Sequence, residues 1–328
     1  MRRREVIAGF GVAAAWPLTA RAQQPGTLPV IGVLGSASPD QWADRLRAFR
    51  EGLVEAGYVE GKNVALEYRW ADGRNDRLLA LAAELVRRPV AVIVVLGSTP
   101  SAIAAKAATT TVPVVFRVAV DPVELGLVPS LNRPGGNLTG VSTLGAKVGA
   151  KQLELLRAVV PAAGSFGLLV NPSNPVLAEP QTRDLAAATG ALGLRLDVVA
   201  ASTDRELEAA FATLREKRTG ALVIGADAFF NSRNEHIAAL AAASTVPAIS
   251  PYREFAAAGG LMSYGGSIAE ASRQAGVYTG RILNGEKPAD LPVQQVSRLE
   301  LVINAKTANA FALSLPPTLI ALADEVIE

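Results

Sequence analysis

The chain has 328 residues, half of them hydrophobic, with 32 Lys+Arg, 30 Asp+Glu, one histidine and no cysteine. Near-balanced charge gives no support to nucleic-acid binding, and the lack of cysteine excludes disulfides, thiolate nucleophiles and cysteine metal sites. A single histidine also excludes a two-histidine metal centre.

The first residues read as an address rather than as fold. Arg2, Arg3 and Arg4 precede an apolar run from Val6 to Trp16, and Ala20-Arg21-Ala22 forms an A-x-A site. Together they make a secretory signal peptide over residues 1–22, cleaved after Ala22. The apolar run is too short to span a membrane, which takes about 20 residues. Arg3-Arg4, followed by hydrophobic residues at the right offset, also fits a twin-arginine signal. Cleavage removes Arg2, Arg3, Arg4, Arg21 and Glu5, taking 32 basic and 30 acidic residues to 28 and 29, a net charge of −1. With no cysteine to carry a lipid, a soluble exported protein without a direct membrane anchor is expected. The string Gly9-x-Gly11-x-x-Ala14 lies inside this leader and follows no strand, so it fails the context of a dinucleotide fingerprint.

Downstream, strand and helix patterns alternate. Pro29 to Gly35 is a β-branched apolar run, the pattern of a buried parallel strand. Asp40 to Gly57 places Trp42, Leu46, Phe49, Leu53 and Val54 on one helical face, with Gly57 as the stop. Asn63 to Trp70 alternates as a strand. The spacing then predicts a helix over Asp76–Arg88, a strand over Ala91–Leu96, a helix over Pro100–Ala108 and a strand over Val112–Val118. Such βαβ repetition makes a parallel sheet covered on both faces.

From Pro129 to Thr143 the rhythm breaks at a cluster of turn formers, Asn132 to Asn137. It resumes with helix Ala150–Val160, strand Phe166–Val170, helix Pro175–Leu192 and strand Leu194–Ala200. Helix Asp204–Lys217, strand Ala221–Ile224, helix Ser232–Ala243 and strand Val246–Ile249 follow. A glycine-rich interruption, Gly259 to Gly266, precedes a helix over Ile268–Leu283. The two interruptions read as crossings between two lobes; the plainer reading is surface loops in one large α/β domain. The first lobe is assigned residues 28–142 with about 266–290, the second 145–262, and residues 293–328 cross the hinge again.

The usual catalytic constellations are missing. His236 falls in a predicted helix and no serine sits in G-x-S-x-G; Gly265-Gly266-Ser267-Ile268-Ala269 fails at its last position. There is no Walker-type phosphate loop, and no pair of acids stands out as a glycosidase dyad.

What remains are polar groups at strand ends, where parallel α/β sheets bind their ligands. Strand one ends in Ser36, Ala37 and Ser38, and strand three in Gly97-Ser98-Thr99-Pro100. Ser98 or Thr99 can cap the next helix with Pro100 in its first position. The free N–H groups there suit a carboxylate, although nearly every helix start attracts such residues and the motif alone favours a plain N-cap. In the second half, strand ends offer Asn171-Pro172-Ser173-Asn174 and Asp227-Ala228-Phe229-Phe230. Asp227 suits a ligand ammonium, and one phenylalanine, Phe229 or Phe230, an apolar wall, the other being core if the stretch is extended. Asp121 reads as a site residue or a helix cap, and Tyr264 as a cleft wall or hinge packing.

Several motifs, in order, carry a family resemblance. They are Asp121-Pro122-Val123 with Gly126-Leu127-Val128, Arg133-Pro134-Gly135-Gly136-Asn137-Leu138-Thr139-Gly140, and Gly259-Gly260-Leu261-Met262-Ser263-Tyr264-Gly265. Gly285-Glu286-Lys287-Pro288-Ala289-Asp290-Leu291-Pro292-Val293, Leu301-Val302-Ile303-Asn304 and the tail from Pro316 to Glu328 complete the set. Over essentially its whole length the chain resembles the ABC-transporter substrate-binding proteins of the tryptophan-binding-like family. The resemblance implies a type I periplasmic-binding-protein fold, with two Rossmann-like α/β lobes joined by three crossings and closing on a ligand between them. It also implies a carboxylate at Ser98 and Thr99 with Ser36 and Ser38 nearby, and polar contacts from Asp227 and Asn171.

The expected function is a periplasmic solute-binding subunit of an ABC importer, taking a small carboxylate-bearing ligand such as an amino acid or aromatic acid. It would be a monomer that meets a membrane permease, without cofactor, metal or catalysis. The alternative is an exported α/β hydrolase or isomerase using carboxylates.

Overall fold

The computed structural model describes residues 28–296 and 298–328. The leader read as a signal peptide, with its twin-arginine pair and cleavage site, lies outside the described residues. In chain order the first half gives β1 (Val30–Gly35), α1 (Ala43–Glu55), β2 (Ala65–Trp70), α2 (Leu78–Arg87), β3 (Val90–Leu96), α3 (Thr99–Ala108), β4 (Val114–Val118) and β5 (Leu138–Ser142). Then follow α4 (Gly149–Val159), β6 (Ser165–Val170), α5 (Pro175–Ala191), β7 (Arg195–Ala200), α6 (Asp204–Glu216), β8 (Ala221–Ile224) and α7 (Ala228–Asn231). The rest is α8 (Asn234–Ala243), β9 (Ala248–Ser250), α9 (Arg253–Ala257), β10 (Met262–Gly266), α10 (Ile268–Leu283), β11 (Gln294–Gln295), β12 (Leu299–Asn304), α11 (Ala305–Ala310), α12 (Pro317–Leu322) and β13 (Glu325–Ile327).

These strands make two sheets, ordered β11-β5-β4-β3-β1-β2 and β13-β12-β10-β9-β8-β6-β7. The first is parallel throughout. The second is parallel except where β12 runs against β10. That exception follows from connectivity. Leu299 at the start of β12 pairs with Gly266 at the end of β10, so the chain re-enters the sheet at the edge it left and must run backwards.

Each sheet is covered on both faces. Phe116 and Val95 of the first sheet pack under α2 and α3, whereas Val33 and Val94 pack with Phe49 of α1 and Tyr278 of α10. In the second sheet Phe166 and Val223 meet α4 and α5, and Leu169 and Ile224 meet Phe211 of α6 and Ile237 of α8. Phe116, Phe166 and Phe211 are fully buried, each contributing about 1.5–3 kcal/mol through removal from water.

Both segments read as interruptions contain a strand. Leu138–Ser142 is buried at every position as β5, and Met262–Gly266 is β10. The glycines of the second segment serve strand packing: a Cβ at Gly265 would sit 2.1 Å from the Pro251 carbonyl oxygen. The chain passes between sheets just after each of these strands, and again between β11 and β12. No helix among the described residues is long and apolar enough to cross a membrane.

Candidate functional site

A cavity of about 240 Å³ lies between the two sheets, at the carboxyl ends of β1, β2 and β3 on one side and of β6, β7 and β8 on the other. This is where strand carbonyl ends and helix starts leave backbone groups unpaired. From the first lobe come Ser36 and Ser38 after β1, Gln41, the Asp72-Gly73 turn and Asn75 after β2, and Ser98 and Pro100 after β3.

Ser98 is the N-cap of α3, its Oγ accepting from the Ser101 N–H at 3.2 Å, and Pro100 stands in the first turn. The positive end of the helix dipole therefore points at the cavity from this side. The loops after β1 and β2 brace one another, since Gly73 N donates to Ser36 O at 2.7 Å.

The second-lobe wall is built around one carboxylate. Asp227 Oδ1 accepts from Asn171 Nδ2 at 2.9 Å and from the Phe229 N–H at 2.8 Å; its Oδ2 accepts from Asn174 Nδ2 at 2.7 Å. A carboxylate has about four acceptor positions, so Oδ2 keeps capacity for one more donor. Asn171 is fixed in turn, because its Oδ1 accepts from Ser202 Oγ at 2.9 Å and from Ser173 Oγ at 2.8 Å. Burial pushes the Asp227 carboxyl above its ordinary value, and the three donors pull it only part of the way back.

At the rim, Arg233 Nε donates to Asp204 Oδ1 at 2.7 Å, and its guanidinium carbon stands 5.3 Å from the Phe229 ring centre. Phe229 lines the cavity while Phe230 is buried in the core. The division between the two rings matches the expectation, but its cause differs: the stretch is a short helix, α7, rather than extended chain.

Of the residues singled out in the sequence, Ser36, Ser38, Ser98, Asn171, Asp227 and Phe229 meet in this cavity. Three do not line it. Thr99 is the first residue of α3 and is buried behind the cap that Ser98 provides. Asp121 closes its own turn, Oδ1 accepting from Val123 N at 2.8 Å. Tyr264 packs against the core on the α4 face of the second sheet, and its carbonyl accepts from Gln152 Nε2 at 3.0 Å. Lining residues that the sequence reading passed over include Gln41, Asp72, Asn75, Ser202, Ser232 and Arg233. Asp72-Gly73 and Asn75 stand at the end of the second strand, and the strand-end rule would have found them. Among the described residues, no cluster of three metal-ligating side chains occurs.

The family model for the ABC transporter substrate binding protein matches residues 30–327. A tyrosine-binding protein of Clostridioides difficile (strain R20291) is 28% identical over 266 residues, which is 80% of this chain and 75% of that protein. An ABC domain in complex with L-Trp from Streptococcus pneumonia is 26% identical and covers 92% of this chain and 100% of its own, with a TM-score of 0.82. An arabinose binding protein from Geobacillus stearothermophilus, 14% identical, matches 88% of this chain and 100% of its own with a TM-score of 0.53. The architecture is that of the type I periplasmic binding proteins.

Proposed function

The chain belongs to the ABC transporter substrate-binding protein family, and from that membership we propose that it is the solute-binding subunit of an importer. Its leader sends it to the periplasm, where it works as a monomer and delivers its ligand to a membrane permease. The two lobes follow the two sheets, the second taking in β10, β12 and β13 beyond the 145–262 read from the sequence, and closure about the hinge traps the ligand. The ligand is a small carboxylate-bearing molecule, an amino acid or aromatic acid.

One observation carries this reading. Asp227, anchored by two amides and a backbone N–H with one acceptor position left, lies across the cavity from the Ser98 cap and the start of α3. An ammonium suits the first and a carboxylate the second, so the two walls together fit a zwitterion. The tyrosine-binding relative and the L-Trp complex support an amino acid as that zwitterion. A volume of about 240 Å³ is close to the lower end of small-molecule sites, roughly 300 Å³.

The test is calorimetric titration of the purified mature protein with L-tyrosine, L-tryptophan and the remaining amino acids. Saturable binding, a rise in Tm by mass action and recovery of unchanged ligand are expected. A flat response across every carboxylate overturns the ligand class. Chemical conversion of the ligand would favour the exported hydrolase or isomerase instead.

A further inference from the structure

Two buried arginines lie under the first-lobe wall of the cavity. Arg45 of α1 and Arg117 of β4 are only 4% and 2% exposed. Both donate to one backbone oxygen, Leu96 O at the end of β3: Arg45 Nη1 at 3.1 Å and Arg117 Nη2 at 3.4 Å. Arg45 also stacks over Trp42, 5.0 Å from the ring centre.

The Arg117 guanidinium presses on Gly97, where a Cβ would fall 1.4 Å from Nη2. Arg117 Nε has no hydrogen-bond partner. Among the described residues neither arginine forms an ion pair with a carboxylate.

Two cations sharing one carbonyl in the interior are a costly arrangement, because burial strips their hydration and each repels the other. Burial, with Arg45 beside it, lowers Arg117 to about 9, so it is still charged at neutral pH. From the second lobe the ionisable groups that act on the pair are Tyr252 and Glu254. The Glu254 Oε2 is itself buried without a partner. The first lobe therefore holds positive charge that its own residues leave uncompensated. Between that charge and the cavity stands the Gly97-Ser98 turn, and residue 97 contributes no side chain to screen it.

We propose that Arg117, backed by Arg45, is a positioning residue that selects an anionic group on the ligand, acting through the Gly97-Ser98 turn. The ligand carboxylate at the Ser98 cap then joins Glu254 as counter-charge to the pair. In a water-poor interior such a field acts much more strongly than at a surface. The inference rests on the solute-binding reading and adds to it the group that discriminates acid from neutral analogue.

The test compares L-tyrosine with L-tyrosinamide, and L-tryptophan with L-tryptophanamide, on wild type, Arg117→Met, Arg117→Lys and Glu254→Gln. Wild type should prefer each acid. Arg117→Met should cut that preference by about tenfold or more, the scale of one lost charge interaction, while affinity for the amide holds. Its ligand-free Tm should not fall, because the buried guanidinium makes one 3.4 Å hydrogen bond and no direct ion pair, and an apolar chain of similar length replaces it. Arg117→Lys should restore most of the preference. Should the methionine variant misfold, Arg117→Gln serves the same comparison.

An unchanged acid-to-amide ratio in Arg117→Met overturns the proposal. So does an equal loss for acid and amide that Glu254→Gln reproduces, which would make the arginines an interlobe contact. Wild type binding acid and amide alike defeats this inference alone. Wild type binding neither acid defeats the ligand class with it.

Discussion

Asn171 and Asp227 stand 56 residues apart, yet Nδ2 of the first meets Oδ1 of the second at 2.9 Å in a buried contact. The bond ties the end of β6 to the end of β8 and sets which edge of the carboxylate meets the cavity. Asn171 has no spare acceptor role, since its Oδ1 already takes Ser173 and Ser202. Truncation in Asn171→Ala removes a donor to the buried Asp227 carboxylate and the acceptor that holds Ser173 and Ser202. It should lower stability by about 1–3 kcal/mol, the usual cost of unsatisfied buried partners, and weaken amino acid binding. Urea unfolding checks the first and calorimetry the second.

The raised Asp227 carboxyl makes binding pH-dependent. Burial is the dominant cause, and Asn171, Asn174 and the Phe229 N–H oppose it. A folded value above the ordinary 3.8 means that the native state holds this proton longer than the unfolded chain. Its contribution to stability is therefore lost as pH rises from 3.8 through the folded value. Ammonium binding needs the ionised form, so affinity for L-tyrosine should climb through the same window and level off above it. Calorimetry in buffers of different ionisation enthalpy should detect proton release within that window. In Asp227→Asn the release should vanish and affinity fall about 10- to 100-fold, matching a lost charge-assisted bond.

Ser98 and Thr99 are neighbours in sequence with different places in the fold. Ser98 Oγ caps α3 and borders the cavity, whereas Thr99 is buried in the first turn. Ser98→Ala should cost about 0.5–2 kcal/mol of stability and also weaken ligand binding. Thr99→Val should leave affinity within about threefold, a small free-energy change, since the Thr99 side chain does not line the cavity. Thermal shift with and without L-tryptophan measures both. An equal loss of affinity in the two variants would show that Thr99 reaches the ligand.

These residues also show what the sequence makes legible. The strands with β-branched apolar runs, such as Val90–Leu96, announce themselves because both faces are buried. Strand ends then point to Ser36, Ser38, Ser98, Asn171, Asp227 and Phe229 without any structure. β5 and β10 were hidden because turn formers and glycines precede or compose them, and only the pairing partner shows that Gly265 serves close approach. Arg233 and Ser232 reach the cavity from the junction between α7 and α8, which strand-end reasoning does not cover. Arg45 and Arg117 are illegible for a deeper reason. Nothing in Val114–Val118 says that its one cation ends under Gly97, where only a residue without a side chain leaves room.

The α1–α10 crossing gives a test of how the chain returns to its first lobe. α10 follows β10 of the second sheet but packs on α1, and each helix brings a glycine to the contact. A Cβ at Gly276 would lie 2.1 Å from Phe49 O, and one at Gly52 1.9 Å from Arg273 O. Gly276→Val must push the helix backbones apart, a cost of about 1–3 kcal/mol or more from overpacking. The urea midpoint should fall with an unchanged slope, as expected when stability changes but the exposed surface does not. Ala269→Val, at an exposed position on the same helix, should stay within about 0.5 kcal/mol of wild type. Neither α1 nor α10 contributes a residue to the cavity, so Gly276→Val should bind L-tryptophan with near-normal affinity at low temperature. A normal midpoint would mean that the crossing is looser than its geometry indicates. Lost affinity in a fully folded variant would instead tie this helix pair to the setting of the cleft.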